Sequence, residues 1–338
     1  MKWLPVLQLV GATVIAWALS IVSERLGRAL KLVDSPEGPL KIHARVTPRF
    51  GGFAVIVSLW LLYLAGSVTG LATLTVAQLA VASLLFALGV WDDFRPRSAA
   101  LRLVLQVMIF AIAWNLGVRV PLTGVTWLDA GAACVLFVVV INAVNFYDGM
   151  DGLLALTATC ALGVWAAVAA EAGWAWFPAA AAAAVLLGFL PRNWHPARIF
   201  LGDGGSFVVG FLFYLVFTAR PDAGSTVWAG LWVCAVPVCD AVAATIDRLS
   251  RGRNVLEGDR DHVYDILGRL GLSAPRVALF LGLVAAVTAR GTQLVAGTSV
   301  VQCATLTVLL YTTLILAILA LRRRFRLGAD RRTPGQPA

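Results

Sequence analysis

Two asparagines and two aspartates, Asn142, Asn145, Asp148 and Asp151, close a long apolar run in the stretch NAVNFYDGMDGL at residues 142–153. Asn145, Asp148 and Asp151 are spaced i, i+3 and i+6, so on a helical end they share one face, with Asn142 one turn earlier. Gly149 and Gly152 relax the backbone there, so a ligand can approach it closely. A plain helix stop needs one glycine, not four polar groups in register. Asp92 and Asp93 in WDDFRP form a second candidate. Adjacent carboxylates at the end of an apolar helix repel each other and resist desolvation, which suits a cation-binding or proton-transfer role. In IFLGDGGS three glycines and a serine surround Asp203. Backbone N–H groups in such a turn can cradle phosphate while the carboxylate offers oxygen to a hard cation such as Mg²⁺. The stretch does not match the GxxxxGK[ST] pattern of nucleotide-hydrolysing loops.

Two further clusters carry charge. RGRNVLEGDRDHVYDIL (251–267) mixes Arg251, Arg253 and Arg260 with Asp259, Asp261, His262 and Asp265. Arginines suit bidentate contacts to phosphate oxygens, and His262 is the loop's side chain that changes charge near neutral pH. KIHARVTPRFGG (41–52) brings Lys41 and His43; His43 and His195 are isolated and are poorer catalytic candidates than His262.

These residues must be positioned by elements that are mostly apolar. Of 338 residues, 60% are hydrophobic and 13% charged, with a mean hydropathy of +0.84. That is too little polar surface to coat a soluble globule, so the bilayer is the solvent. Apolar runs long enough to cross a core of about 30 Å recur at 3–22, 51–69, 71–90, 101–119, 128–146, 153–171, 174–191, 205–219, 226–246, 276–297 and 300–321. The reading is an all-α polytopic membrane protein of about eleven transmembrane helices. It forms a single domain over 1–321, followed by a basic, disordered tail over 322–338. The first run has no small-x-small cleavage site and is read as a retained helix. Alternating the loops puts every Lys and Arg on one side except Lys2, Arg119, Arg220 and Arg290. By the positive-inside rule the rich side is cytoplasmic, with the N-terminus outside and the C-terminus and active site on the cytoplasmic face. The net charge of +9 therefore belongs to juxtamembrane loops facing anionic lipid, and nucleic acid is excluded as a partner. The five cysteines sit inside apolar runs without metal-ligand spacing and read as small hydrophobes.

In order along the chain, KIHARVTPRFGG, the Asp92–Asp93 pair, NAVNFYDGMDGL, PARIFLGDGGS and VPVCDA…DRDHVYDIL resemble the motifs of the polyprenyl-phosphate N-acetylhexosamine-1-phosphate transferases. Within that family the chain looks like the bacterial undecaprenyl-phosphate GlcNAc-1-phosphate transferases. The phospho-MurNAc-pentapeptide transferases are more distant relatives. The resemblance runs from about residue 31 to 275 and implies transfer of a HexNAc-1-phosphate, GlcNAc foremost, from a UDP-sugar to undecaprenyl phosphate, releasing UMP. It implies a requirement for Mg²⁺, with Mn²⁺ as the alternative, the bacterial cytoplasmic membrane and a cell-envelope glycan pathway; monomer and homodimer both stay open. Carried over position by position, Asp203 resembles the metal ligand, and Asp92 and Asp93 the pair at the attacking lipid phosphate. Asn145 and Asp148 resemble residues near the diphosphate, and Gly149, Met150 and Asp151 the uridine-binding turn. Phe200 resembles an aromatic that stacks on uracil, and Asn193 a further polar contact; Asp240 is a family aspartate of less clear role. Lys41, His43, Arg251, Arg253 and Arg260 are carried as substrate-binding and His262 as catalytic. Two places depart from the pattern: Pro96 stands where a third aspartate is frequent, and the His-x-His-His motif is reduced to His262, with Tyr264 and Asp265 in the histidine positions.

Rival readings are a transporter or flippase with cytoplasmic gating loops, and a CDP-alcohol phosphatidyltransferase. The first requires ionisable residues deep in the spans, which are nearly free of charge. The second requires a DGxxAR…GxxxD pattern, and DGMDGL lacks the Ala-Arg.

Overall fold

A computed structural model describes residues 3–36, 45–71, 73–120, 123–219, 223–254, 260, 262–295 and 298–330. The helices are α1 (Leu4–Ala29), α2 (Gly52–Thr69), α3 (Val76–Phe94), α4 (Ala99–Asn115), α5 (Thr126–Tyr147), α6 (Leu153–Glu171), α7 (Phe177–Asn193) and α8 (Gly202–Val216). They continue with α9 (Ala223–Val233), α10 (Ala235–Ser250), α11 (Val263–Arg269), α12 (Ala274–Arg290), α13 (Thr292–Val295) and α14 (Val300–Asp330). Two strands of two residues, β1 (Val33–Asp34) and β2 (Thr47–Pro48), pair antiparallel with Val33 opposite Pro48.

Every apolar run of the sequence folds as a helix or a broken pair, and the chain is a multi-pass membrane protein. Among the described residues seven helices are long and apolar enough to cross a membrane, α12 and α13 counting as one, and an eighth candidate is the pair α9–α10. Three shorter apolar helices, α4, α7 and α8, lie among them. In a bilayer, helices satisfy their own backbone groups, which makes this the available spanning architecture. Local sequence sets the ends. Thr75 and Gln78 close a reciprocal capping box at the start of α3, and the Ser98 side chain caps α4 by accepting from the Leu101 N–H.

The run over 226–246 does not fold as the single straight helix expected from its hydropathy: the axis bends by 77° at Cys234. Pro237 has no N–H to donate to Val233, and its ring collides with that carbonyl in a continuous helix, so α9 ends at Val233 and α10 starts afresh. Nor does the last helix stop at Leu321, where the sequence reading starts a disordered tail. The side chains of Arg322, Arg323 and Arg324 are good helix formers, and α14 runs on to Asp330, bringing Arg322 against α10.

At the centre is α8, whose residues Gly204 to Val216 are all buried. A helix that is apolar on every side belongs inside a bundle, and α2, α3 and α5 pack around it. By contrast α1 and α14 expose apolar side chains such as Trp3, Leu7, Val301 and Leu309, which suits a lipid environment. The first turn of α8 carries Asp203, so the buried helix fixes the site at its N-terminal end.

Candidate active site

Gly89 explains how α3 reaches that end. A Cβ on Gly89 would stand 2.3 Å from the carbonyl carbon of Asp203, so only a glycine lets the two backbones approach this closely. One turn further along α3 come Asp92 and Asp93, both 5% exposed. The Asp203 backbone N–H donates to Asp93 Oδ2 at 2.9 Å. Arg49 holds the same residue from the other side, its Nη2 donating to the Asp93 carbonyl at 2.6 Å and its Nε lying 3.4 Å from Oδ1. Asp92 accepts from the Arg97 backbone N–H at 2.7 Å and from Arg102 Nη1 at 3.1 Å.

Asn145, in the last turn of α5, donates through Nδ2 to Asp203 Oδ1 at 2.9 Å and to Ser206 Oγ at 2.8 Å. Arg102 Nη1 stands 3.8 Å from Asp203 Oδ2, so one guanidinium bridges two carboxylates. The structure thus brings Asp92, Asp93, Asn145 and Asp203 together from three helices. Three carboxylates face two guanidiniums here, so the carboxylates repel one another and a cation among them would relieve that repulsion. The Asp203 side chain is 30% exposed, against 6% for Asp92 and 3% for Asp93, so Asp203 is the carboxylate most open to a ligand. Among the described residues no group of three or more His, Cys, Asp or Glu side chains forms a metal cage. The Asp203 carboxylate is a hard oxygen donor of the kind that a divalent cation takes singly, alongside water and phosphate oxygens.

The turn between α5 and α6 carries Asp148, Gly149, Met150 and Asp151. Burial, with the nearby charges of Asp203 and Asp151, pushes the Asp148 carboxyl up to about 7. Asp151 Oδ2 accepts from the Ala197 N–H at 3.0 Å and meets His195 Nδ1 at 2.9 Å. Asn193 is buried, and both ends of its amide are engaged by backbone: Oδ1 accepts from the Gly152 N–H and Nδ2 donates to the Ile199 carbonyl. It brackets the turn against the segment leading to Asp203. In that segment the Phe200 N–H donates to the Pro48 carbonyl at 2.8 Å, and its carbonyl accepts from the Gly51 N–H at 2.9 Å. Met150 is partly buried against the core.

Tyr264, in one of the two histidine positions of the reduced motif, closes on this turn. Its hydroxyl donates to the Phe146 carbonyl at 3.2 Å, and a Cβ on Gly149 would stand 2.0 Å from that oxygen. Burial holds the phenol well above its usual pKa, keeping it a donor. Asp265, in the other of these positions, pairs with Arg260 at 2.8 Å. Burial raises its carboxyl above the usual range, while Arg260, His262 and Arg269 oppose the shift. His262 is buried, with Nδ1 2.7 Å from Asp240 Oδ2. Arg251 pairs with Asp247 at 3.1 Å, and Arg253 is exposed at the end of α10. Lys41 and His43 lie outside the described residues.

Sequence reasoning passed over Arg49 and Arg102. The legible signal was Arg102, a lone cation in the first turn of an apolar helix, a place where charge is costly unless paired. Beside Arg102 a cavity of about 320 Å³ opens between α4, α5 and α10, lined by apolar side chains including Leu103, Val139, Phe146, Val242 and Ile246. An apolar channel ending at a guanidinium suits a ligand with a hydrocarbon tail and an anionic head.

Residues 74–219 match the family Glycosyl transferase family 4. The chain is 30% identical to the decaprenyl-phosphate N-acetylglucosaminephosphotransferase of Mycobacterium leprae, over 74% of this chain and 73% of that one. It is 26% identical to the probable undecaprenyl-phosphate N-acetylglucosaminyl 1-phosphate transferase of Bacillus subtilis, covering 78% and 77%. It is 28% identical to the undecaprenyl-phosphate alpha-N-acetylglucosaminyl 1-phosphate transferase of Escherichia coli K12, covering 79% and 77%.

Proposed function

The chain belongs to the polyprenyl-phosphate N-acetylglucosamine-1-phosphate transferases of glycosyl transferase family 4, and on that premise we propose that it transfers GlcNAc-1-phosphate from UDP-GlcNAc to undecaprenyl phosphate. The products are undecaprenyl-diphosphate-GlcNAc and UMP, the first membrane step of an envelope glycan. The observation that carries this reading is the joining of Asp92, Asp93, Asn145 and Asp203 from three helices, with Arg102 both paired to Asp92 and Asp203 and lining the apolar cavity.

A phosphate monoester has a second pKa near 6, so the lipid phosphate is largely a dianion at neutral pH. One of its oxygens attacks the sugar-bearing phosphorus; the new P–O bond forms as the bond to the UMP oxygen breaks. The obstacle is repulsion between two polyanions, and Arg102 offsets part of it while the apolar cavity holds the tail. Asp92, already bonded to Arg102 and the Arg97 N–H, orients the guanidinium that meets the lipid phosphate. Asp93 keeps the Asp203 backbone in place through their hydrogen bond and takes the residual proton of the monoanionic acceptor. Asp203, with Asn145 fixing its rotamer, would hold Mg²⁺, which supplies charge neutralisation across the diphosphate when bound. The turn from Asp148 to Asp151 receives the nucleotide. The crowding of Lys and Arg into one set of loops supports a site on the cytoplasmic face of the bacterial cytoplasmic membrane, with the N-terminus outside and the C-terminus inside.

The test is UMP release by purified protein in detergent with undecaprenyl phosphate, Mg²⁺ and a panel of UDP-sugars, beside Asp203→Ala. UMP formed only when lipid, metal and Asp203 are all present supports the reading and identifies the sugar; a folded preparation that releases none from any donor overturns it.

A further inference from the structure

Arg322 sits on α14, a helix with a broad exposed apolar face, yet its side chain is 1% exposed. A guanidinium so completely buried persists where acceptors meet it, and α10 supplies them. Arg322 Nη1 donates to the Ala243 carbonyl at 3.2 Å and lies 4.0 Å from Asp247 Oδ2, while Nη2 lies 3.7 Å from Asp240 Oδ1. Asp240 also faces the loop that carries His262. Its Oδ1 accepts from the Val263 N–H at 2.8 Å, and its Oδ2 is the atom that meets His262 Nδ1. An ionised carboxylate only accepts, so the ring must present Nδ1 as N–H, and any contact it makes with substrate goes through Nε2. The imidazole is further stacked on Tyr264, the ring planes 2° apart and the centroids 5.4 Å apart. Asp240 thus sets the tilt of His262, and Arg322 is the cation facing the Asp240 carboxylate from the other side. The bend at Cys234 is what aims this stretch of α10 at both partners.

We propose that Arg322 of the last helix is a positioning residue for His262, acting through Asp240, so that α14 sets the orientation of a histidine at the start of α11. Only its consequence for turnover rests on the transferase reading; the arrangement itself is read independently.

The first experiment is a double-mutant cycle on UMP release using Arg322→Gln, His262→Gln and the pair, with Arg322→Lys as the conservative variant. Arg322→Gln is expected to lower kcat about tenfold with the UDP-sugar KM unchanged, Arg322→Lys to recover most of it, and the double variant to be no slower than His262→Gln alone. A loss from Arg322→Gln of the same factor in both backgrounds would make Arg322 a fold anchor and overturn the proposal. Should Arg322→Gln fail to fold, Arg322→Lys serves in the same cycle, with a smaller loss that must likewise vanish in the His262→Gln background. The second experiment is the ¹⁵N spectrum of histidine-labelled protein, in which His262 is one of three histidines and is assigned by its loss in His262→Gln. An Nδ1–H signature that is averaged away in Asp240→Asn and Arg322→Gln but retained in Arg322→Lys supports the arrangement, and one unchanged in both Asp240→Asn and Arg322→Gln overturns it. If the native protein releases no UMP while the signature depends on Arg322, the transferase reading falls and the positioning arrangement stands.

Discussion

Asp93 and Asp203 stand 110 positions apart in sequence, yet the backbone N–H of one donates to the carboxylate of the other at 2.9 Å. The bond ties the end of α3 to the start of α8 and sets where the exposed Asp203 carboxylate points. Asp93→Asn keeps an acceptor for this N–H but removes the charge facing Arg49. It is expected to leave the protein folded and to lower kcat for UMP release about a hundredfold, the scale of removing one preorganised electrostatic contact. Full kcat in a folded Asp93→Asn protein would show that the carboxylate has no part in the reaction.

Gly89 permits the same approach of α3 to α8. Gly89→Ala puts a methyl 2.3 Å from the Asp203 carbonyl carbon and should cost about 1–3 kcal/mol through forced backbone shifts. Gly11→Ala makes the contrast: nothing lies within 4 Å of its Cβ, and a helical Gly→Ala change there should stabilise by about 0.5–1 kcal/mol. Thermal unfolding in detergent reads both; equal shifts of the same sign would contradict the packing argument.

Asp148 gives stability a pH dependence. Its folded pKa is raised from 3.8 to about 7, so between those values the folded protein holds a proton that the unfolded chain has released. Stability from this group therefore falls as pH rises from about 4 to about 7 and is lowest above that. Asp148→Asn should raise the melting temperature more at pH 8 than at pH 5, measured in EDTA without substrate. A gain of equal size at both pH values would remove burial of this carboxyl as the cause.

Arg102 bridges Asp92 and Asp203 at the end of the apolar cavity. Arg102→Gln is expected to raise KM for undecaprenyl phosphate about tenfold, the scale of one lost charge-assisted contact. Arg102→Lys should recover only part, because an ammonium cannot fork between two carboxylates. Initial rates against lipid concentration decide it, and an unchanged lipid KM in Arg102→Gln would place the phosphate elsewhere.

The sequence by itself determined the class and the location of the elements. Runs of apolar residues long enough for a bilayer leave the backbone no option but helix, because only helices pair their own N–H and C=O groups in lipid. It also singled out Asp92, Asp93, Asn145 and Asp203, which interrupt apolar surroundings in which isolated polar groups are costly, and the fold brings these four together. The identity of their neighbours was not legible. Arg49 looks in sequence like an ordinary juxtamembrane cation, Arg102 is marked only by its place in an apolar helix, and the partners of both are set by helix packing, including the glycine contact at Gly89. The run over 226–246 read as one span because hydropathy does not register that Pro237 deprives Val233 of its partner. Arg322 read as part of a tail, since burial of a charge depends on acceptors that are distant in sequence, here Asp240, Asp247 and the Ala243 carbonyl. Periodicity and composition are local properties and survive in one dimension; charge pairing depends on distances of a few ångströms between helices, which only the tertiary structure decides.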